Sequence, residues 1–241
     1  MLAALCRRLT PWIRRNLCAL CWEAASGRGA KAALEELFQQ QQLLQIRVDE
    51  AALRYGDGIH PKHRLTGYHD FFCRRIRPGE RVLDVGCGYG AVAKSMADAG
   101  AIVTGIDIDG ENIRLARSRF GNSGITFVEA DATHFLPSES FDVVVLSNML
   151  EHVEDRQTFL KRLLLQVKPM KCLLRVPAET RDWSVALRQE LGLPHFSDPT
   201  HFVEYTEETF REEMEKAGLE IMEMTSRWGE LWVEVTPRAA R

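Results

Sequence analysis

Val82-Leu-Asp-Val-Gly-Cys-Gly-Tyr-Gly90 is the stretch that decides the fold. A short β-branched run over Arg81–Val85 stops at Gly86, and glycines recur at 88 and 90 before a helical pattern over Ala91–Ala99. Glycines at that spacing let the chain turn tightly and let a ligand approach the backbone. The helix that follows aims its free N–H groups at that ligand. The same loop, Gly86-x-Gly88-x-x-Ala91, also fits a relaxed dinucleotide fingerprint, so the glycines alone do not choose the ligand.

Downstream, strand and helix patterns alternate. Strands are expected at Ile102–Ile106, Ile125–Glu129, Phe141–Ser147 and Cys172–Val176, with helices at Glu111–Phe120 and Glu154–Val167. A further helix follows Thr206, with Thr209 in its first turn and Gly218 at its end. Such alternation implies βαβ units: an α/β, Rossmann-like, doubly wound, mostly parallel sheet covered on both sides. The last two strands, Leu219–Met224 and Leu231–Val235, are separated by Trp228-Gly-Glu230. That gap is too short for a helical crossover, so they should form an antiparallel hairpin at the C-terminal edge.

Upstream, a helix is expected over 32–54, a Gly/Pro loop over Tyr55–Pro61 and a helix over about 64–76. The organisation is therefore N-terminal helices over 1–54 and one α/β domain over 55–241. Residues 1–31 carry net +5, leaving −8 on the rest of a chain whose total is −3. In that basic start Leu2, Leu5, Leu9, Trp12, Ile13, Leu17 and Leu20 share one helical face, opposite Arg7, Arg8, Arg14 and Arg15. Three readings stand: a membrane-surface helix over 1–22, a mitochondrial targeting segment, or a cap or partner-binding arm. Cys18-x-x-Cys21 lacks the second ligand pair of a zinc site. The six cysteines have no framework spacing, so a reducing, cytoplasmic setting is expected, with peripheral membrane contact through residues 1–22 left open. The acidic body argues against a nucleic-acid partner.

Acidic residues around the glycine loop bear on the ligand. Asp84 lies two residues before Gly86, where a carboxylate disfavours a pyrophosphate and favours a cation. Asp107 follows the second strand, in the place of an acid that holds ribose hydroxyls. Asp131-Ala132 follows the third strand. A nucleoside with a charged amino-acid tail fits this rim.

VLDVGCGYG (82–90), GIDID (105–109), EADA (129–132) and FDVVVLSNMLEHV (141–153) together resemble, in order and spacing, the motifs of class I S-adenosylmethionine-dependent methyltransferases. Within that superfamily the chain looks most like the O-methyltransferases of ubiquinone biosynthesis, through His60–Tyr68 and Pro199–Gly218. The resemblance implies S-adenosylmethionine as cofactor, S-adenosylhomocysteine as product and methyl transfer to a small-molecule acceptor, at oxygen. It implies that Arg64 holds the cofactor carboxylate, that Gly86 and Gly88 pass beside the methionine part and that Asp107 binds the ribose hydroxyls, with Asp84, Cys87 and Ile108 also among the cofactor-binding residues. It places Asp131 and Ala132 beside adenine, and Ser147 and Asn148 on the reaction side. A protein or RNA methyltransferase, or a non-catalytic cofactor-binding partner protein, are the alternatives.

An oxygen acceptor must lose a proton, to a general base or with the help of a metal. Glu151-His152 is the candidate catalytic pair, with His152 as base or as a buried histidine orienting Glu151. The ubiquinone enzymes are associated with a divalent metal through a Glu followed three residues later by Glu-His. Here Asn148 stands in the first place, so no metal is expected. Trp183, His195, His201 and Tyr205, in the segment that lids the acceptor pocket in relatives, are candidate acceptor contacts or packing residues. His60 and His63 are candidates on the opposite side. Pro169-Met-Lys-Cys172 departs from the family's Pro-Gly-Gly turn. The polar run Arg181, Asp182, Arg188, Gln189 and Glu190 points to a polar acceptor, whereas the N-terminus points to a membrane surface. Polar metabolites, glycan sugars and quinone-like lipids all remain open.

Overall fold

A computed structural model describes residues 10–27 and 29–238. Leu2, Leu5, Leu9, Arg7 and Arg8 lie outside these residues, and with them much of the amphipathic face read over 1–22. Contacts divide the chain into two units. One runs up to Pro61 and takes in Gln189–Leu193; the other comprises Lys62–Arg188 and the chain from Pro194 onward.

In the first unit, α1 (Pro11–Ser26) packs on α2 (Ala30–Tyr55). Among the described residues no helix is long and apolar enough to cross a membrane.

The second unit begins with α3 (Lys62–Thr66) and α4 (Tyr68–Cys73). A single helix over about 64–76 was expected. The chain instead breaks at Gly67, whose φ of 70° lies in the left-handed region that ends helices. Then come β1 (Arg81–Val85), α5 (Ala91–Asp98), β2 (Ile102–Asp107), α6 (Gly110–Phe120), β3 (Thr126–Glu129) and β4 (Val143–Ser147). They are followed by α7 (Arg156–Val167), β5 (Lys171–Pro177), α8 (Trp183–Glu190), α9 (Glu207–Lys216), β6 (Leu219–Arg227) and β7 (Glu230–Pro237). Helix α8 was not anticipated; its polar run masked a short amphipathic pattern with Val185 buried.

The strands form one sheet in the order β3-β2-β1-β4-β5-β7-β6. The pairs from β3 to β5 are parallel, while β5–β7 and β6–β7 are antiparallel. The expected hairpin is therefore present, closed by Trp228 and Gly229 at φ 55° and 74°. Two positive φ values in succession are what a tight two-residue hairpin turn of the primed kind requires.

Period-2 alternation explains why both faces of the sheet are covered. In β4, Val143 and Val145 join one core cluster with Phe72, Met96 and Ile113; Val144 and Leu146 join the other with Leu160, Leu163 and Phe210. Helices α4, α5 and α6 thus lie on one face, and α7 and α9 on the other. Thr206 caps α9 reciprocally with Thr209, as its sequence suggested. At the unusual turn before β5, Lys168 takes the left-handed position that ends α7, and the Met170 amide donates to Asp142 O. Strand order reverses between β1 and β4. In open α/β sheets this reversal opens a crevice at the carboxyl ends of the strands.

Candidate active site

The loop after β1 turns at Gly86, with φ 73°. A Cβ there would lie 2.8 Å from Met149 Cγ, so glycine allows the loops after β1 and β4 to touch. The Gly86 and Cys87 amides donate to Ile106 O, tying the loop to β2. Asp107, ending β2, fastens it from the other side: its Oδ2 accepts from the Gly88 amide at 2.8 Å and its Oδ1 from the Asp109 amide at 2.9 Å.

A cavity of 390 Å³ opens beside this loop. Of the residues expected at the site, it gathers Gly86, Asp107, Ile108, Asp131, Ala132, Asn148 and His152, and adds Ile106, Ala130, Thr133, Met149 and Val153. Asp131 Oδ1 accepts from the Thr133 amide at 2.8 Å and hydroxyl at 2.6 Å. The Thr133 hydroxyl bond, with His134 beside it, holds the Asp131 carboxyl below its ordinary range despite a small opposing burial. Ala132 is buried and Ile108 stands exposed at the rim.

The other expected residues fall around the cavity rather than on its wall. Asp84 is buried behind the glycine loop, and its Oδ2 has no hydrogen-bond partner among the described residues. Burial, reinforced by the Asp107 charge, pushes its carboxyl up to about 7. Cys87 is buried, and burial followed by the Asp84 and Asp107 charges raises its thiol. Gly88 is held by Asp107, and Ser147 ends β4, half-buried. Arg64 is exposed on α3 and does not line the cavity. Glu151 is fully buried behind His152, in the tight turn Leu150–His152.

Among the acceptor candidates, Trp183 is exposed and Tyr205 is buried in the core, its hydroxyl donating to Glu213. His63 bonds Tyr68 and His69, while His60 pairs with Asp49 in the N-terminal unit. His201 belongs at the site. Its ring meets that of His152 with centroids 4.7 Å apart, and its Nε2 lies 4.0 Å from Glu151 Oε1.

One group escaped the sequence reading. Arg175, in β5, is 5% exposed, lies 3.5 Å from Glu230 and stacks 3.6 Å over the Tyr68 ring. Its Nε donates to Asn148 Oδ1 at 3.2 Å, and Asn148 Nδ2 donates to Glu230 Oε1 at 3.3 Å. The Trp232 indole also donates to Glu230. The signal was present: a charged residue inside the buried run Cys172–Val176 requires a partner. That partner lies 55 positions downstream, beyond any local pattern.

Burial is the larger influence raising the Glu151 carboxyl to about 7, against opposing contributions from the nearby N–H of its own backbone and the His201 and Arg175 charges. His152 is lowered, first by burial and then by the charge of His201. Glu151, His152 and His201 each offer a ligand atom, all within 4.8 Å of one another, so among the described residues these three form a group that could hold a metal ion. Asn148, at the place of the first acid of the ubiquinone pattern, is turned instead to Arg175 and Glu230.

The family model described as "Methyltransferase domain" matches residues 83–172. An uncharacterized methyltransferase of Mycobacterium tuberculosis is 46% identical over 83 residues, 34% of this chain and 42% of that protein. A ubiquinone biosynthesis O-methyltransferase of Pectobacterium atrosepticum is 44% identical over 97 residues, 38% of this chain and 39% of that protein. The matches thus span about two fifths of these curated relatives. The crystal structure of a magnesium protoporphyrin IX methyltransferase from Synechocystis, with bound S-adenosylhomocysteine, superposes with a TM-score of 0.58 at 20% identity, covering 71% of this chain and 83% of that one. Residues 83–172 therefore match a methyltransferase domain in sequence, and the unit from Lys62 onward shares the fold of solved methyltransferases.

Proposed function

We propose that this chain transfers a methyl group from S-adenosylmethionine to a small-molecule acceptor, at oxygen. The observation that carries the reading is a single cavity with an acidic rim at one end and Asn148 and His152 at the other. Asp107 Oδ1 accepts from the Asp109 amide and from Asn112 Nδ2, while Oδ2, which accepts from the Gly88 amide, keeps a further lone pair for a ribose hydroxyl. Ile106, Ala130 and Ala132 offer an apolar wall for a base. The orphaned Asp84 oxygen supplies the charge that an ammonium group needs behind the glycine loop.

In this reading the acceptor oxygen attacks the methyl carbon in line with the sulfonium. The carbon–sulfur bond breaks, the acceptor's proton leaves and S-adenosylhomocysteine remains. Holding the two reactants in line is the enzyme's main contribution, worth about 7–11 kcal/mol in favourable cases. The relatives named as ubiquinone biosynthesis O-methyltransferases favour oxygen as the acceptor atom. Because His152 stands exposed on the cavity wall, it serves the acceptor's loss of a proton.

Calorimetric titration tests the cofactor, with S-adenosylmethionine and S-adenosylhomocysteine as ligands and NAD as the control. Micromolar binding of the first two and none of NAD is the expected result; the reverse overturns the reading. On the acceptor side, His152→Ala should abolish most turnover with cofactor affinity nearly intact. Equal loss of both would make His152 a structural residue.

A further inference from the structure

A second cavity, of about 300 Å³, shares no lining residue with the first. It lies between α4 with its flanking residues and the face of β6 and β7 that carries Glu223, Thr225 and Trp232. Its floor is aromatic: Phe71 and Trp232 are buried, with ring centroids 5.7 Å apart. Two of the three arginines on its wall already face carboxylates. Arg75 stacks 4.1 Å over the Phe71 ring, donates to Phe71 O at 3.1 Å, and lies 2.5 Å from Glu223 and 3.3 Å from Glu234. Arg74 faces Asp70 at 3.7 Å.

Arg227 is the exception. It stands exposed at the end of β6, its guanidinium 6.0 Å from the centre of the Trp232 ring, and makes no ion pair among the described residues. Glu230, opposite it in register, is engaged instead with Arg175, Asn148 and the Trp232 indole. The Thr225 hydroxyl has no hydrogen-bond partner among the described residues. Across the cavity, Thr66 gives its proton to Lys62 O at 2.7 Å, which leaves its oxygen as an acceptor only. Asp70 and Glu223 add carboxylate acceptors. The wall thus combines one uncompensated positive charge with acceptors that need donors.

A bare inorganic anion meets the first need alone, and a neutral sugar meets the second alone. We propose that this cavity binds a small hydroxylated organic anion, of the sugar phosphate or sugar acid class. Its phosphate or carboxylate pairs with the guanidinium fork of Arg227. Its hydroxyls donate to Thr66 and Glu223, and its carbon skeleton lies on the aromatic floor. The volume stands at the lower end for small-molecule sites, as one sugar-sized ligand requires. Trp232 is paired in register with Arg175 on one side and Thr225 on the other. The floor therefore adjoins the Arg175 side of β5, outside the cofactor cavity, so this ligand and S-adenosylmethionine bind at the same time. The site does not rest on the proposed methyl transfer.

The test is an NMR titration of the nitrogen-15-labelled full chain, read at the indole N–H of Trp232, one of five tryptophans, assigned through Trp232→Phe. The probes are glucose 6-phosphate and glucuronate, with glucose and inorganic phosphate as controls, each with and without saturating S-adenosylhomocysteine. At least one of the two hydroxylated anions should shift the Trp232 signal saturably, about tenfold more tightly than either control or better. The tighter of the two tells phosphate from carboxylate. The shift should persist when S-adenosylhomocysteine is present. Arg227→Gln should weaken binding about tenfold or more, and Thr225→Val by a smaller factor, with circular dichroism checking that each variant folds. Failure of both anions to bind, equal binding of glucose or inorganic phosphate, equal binding by folded Arg227→Gln, or displacement by S-adenosylhomocysteine would overturn the proposal. A chain that binds the anion but not S-adenosylmethionine would overturn the proposed function and leave this site standing; the converse would do the opposite.

Discussion

The two ends of the cavity are built on opposite principles. At the ends of β1, β2 and β3, the charged groups on the cavity wall, Asp107 and Asp131, are satisfied by nearby backbone and hydroxyl groups. At the ends of β4 and β5, buried charges are satisfied by residues far away in sequence, as Arg175 is by Glu230, or lack hydrogen-bond partners among the described residues, as Glu151 does. The rim carboxylates are hydrogen-bonded by their own neighbourhood. The end formed by β4 and β5 holds a buried Glu151 carboxyl with no hydrogen-bond partner among the described residues.

The largest test of this contrast is Arg175→Ala, which leaves Glu230 without its cation and Tyr68 without its stacking partner. Breaking one side of a buried pair costs about 3–5 kcal/mol, here read by chemical denaturation. The double variant Arg175→Ala, Glu230→Ala should cost less than the sum of the two single changes. If the single change costs no more than a surface substitution, the acceptor end is not held as described.

At the rim, Asp107→Ala should weaken S-adenosylmethionine binding by about 1.5–3 kcal/mol, the range for hydrogen bonds to a charged group. Calorimetry measures it, and unchanged affinity would break the assignment of Asp107 to the ribose.

How much of each end could be read in the sequence follows from the same contrast. Asp107 stands 21 residues past Gly86, a distance set by one strand–helix–strand unit, so its place at the rim followed from local pattern. His201 is 50 residues from Glu151, across two helices, a strand and a loop whose path no periodicity predicts. It was legible only as one of several candidates. Gly67 likewise cut a helix read as continuous over about 64–76.

Acid dependence sharpens the comparison further. The Asp84 and Glu151 carboxyls are raised to about 7 in the folded chain, so below that pH the native state binds more protons than the unfolded one. Stability from these groups is fully present below the ordinary carboxyl values of 3.8 and 4.5 and is lost as pH rises through about 7. In chelator, melting temperature should fall between about pH 5 and pH 8, and Glu151→Gln should flatten the fall. A fall of the same steepness in that variant would remove Glu151 as its source.

The smallest expected effect lies away from both ends. Thr206→Ala breaks the reciprocal cap of α9 and should cost about 1 kcal/mol by denaturation. Cofactor affinity should be unchanged; a parallel loss would couple α9 to the cavity.

The amino-acid sequence by itself determined the alternation of strands and helices, the glycine turn, the acidic rim and the edge hairpin. Each depends on residues within one or two elements of each other, where period, capping and turn chemistry act. Tertiary structure alone decided that Asn148 faces Arg175 and Glu230, that Asp84 and Glu151 are buried, and that Glu151, His152 and His201 converge. Those outcomes depend on which distant strands and loops meet, and burial, which sets the charge state of such groups, exists only once they have met.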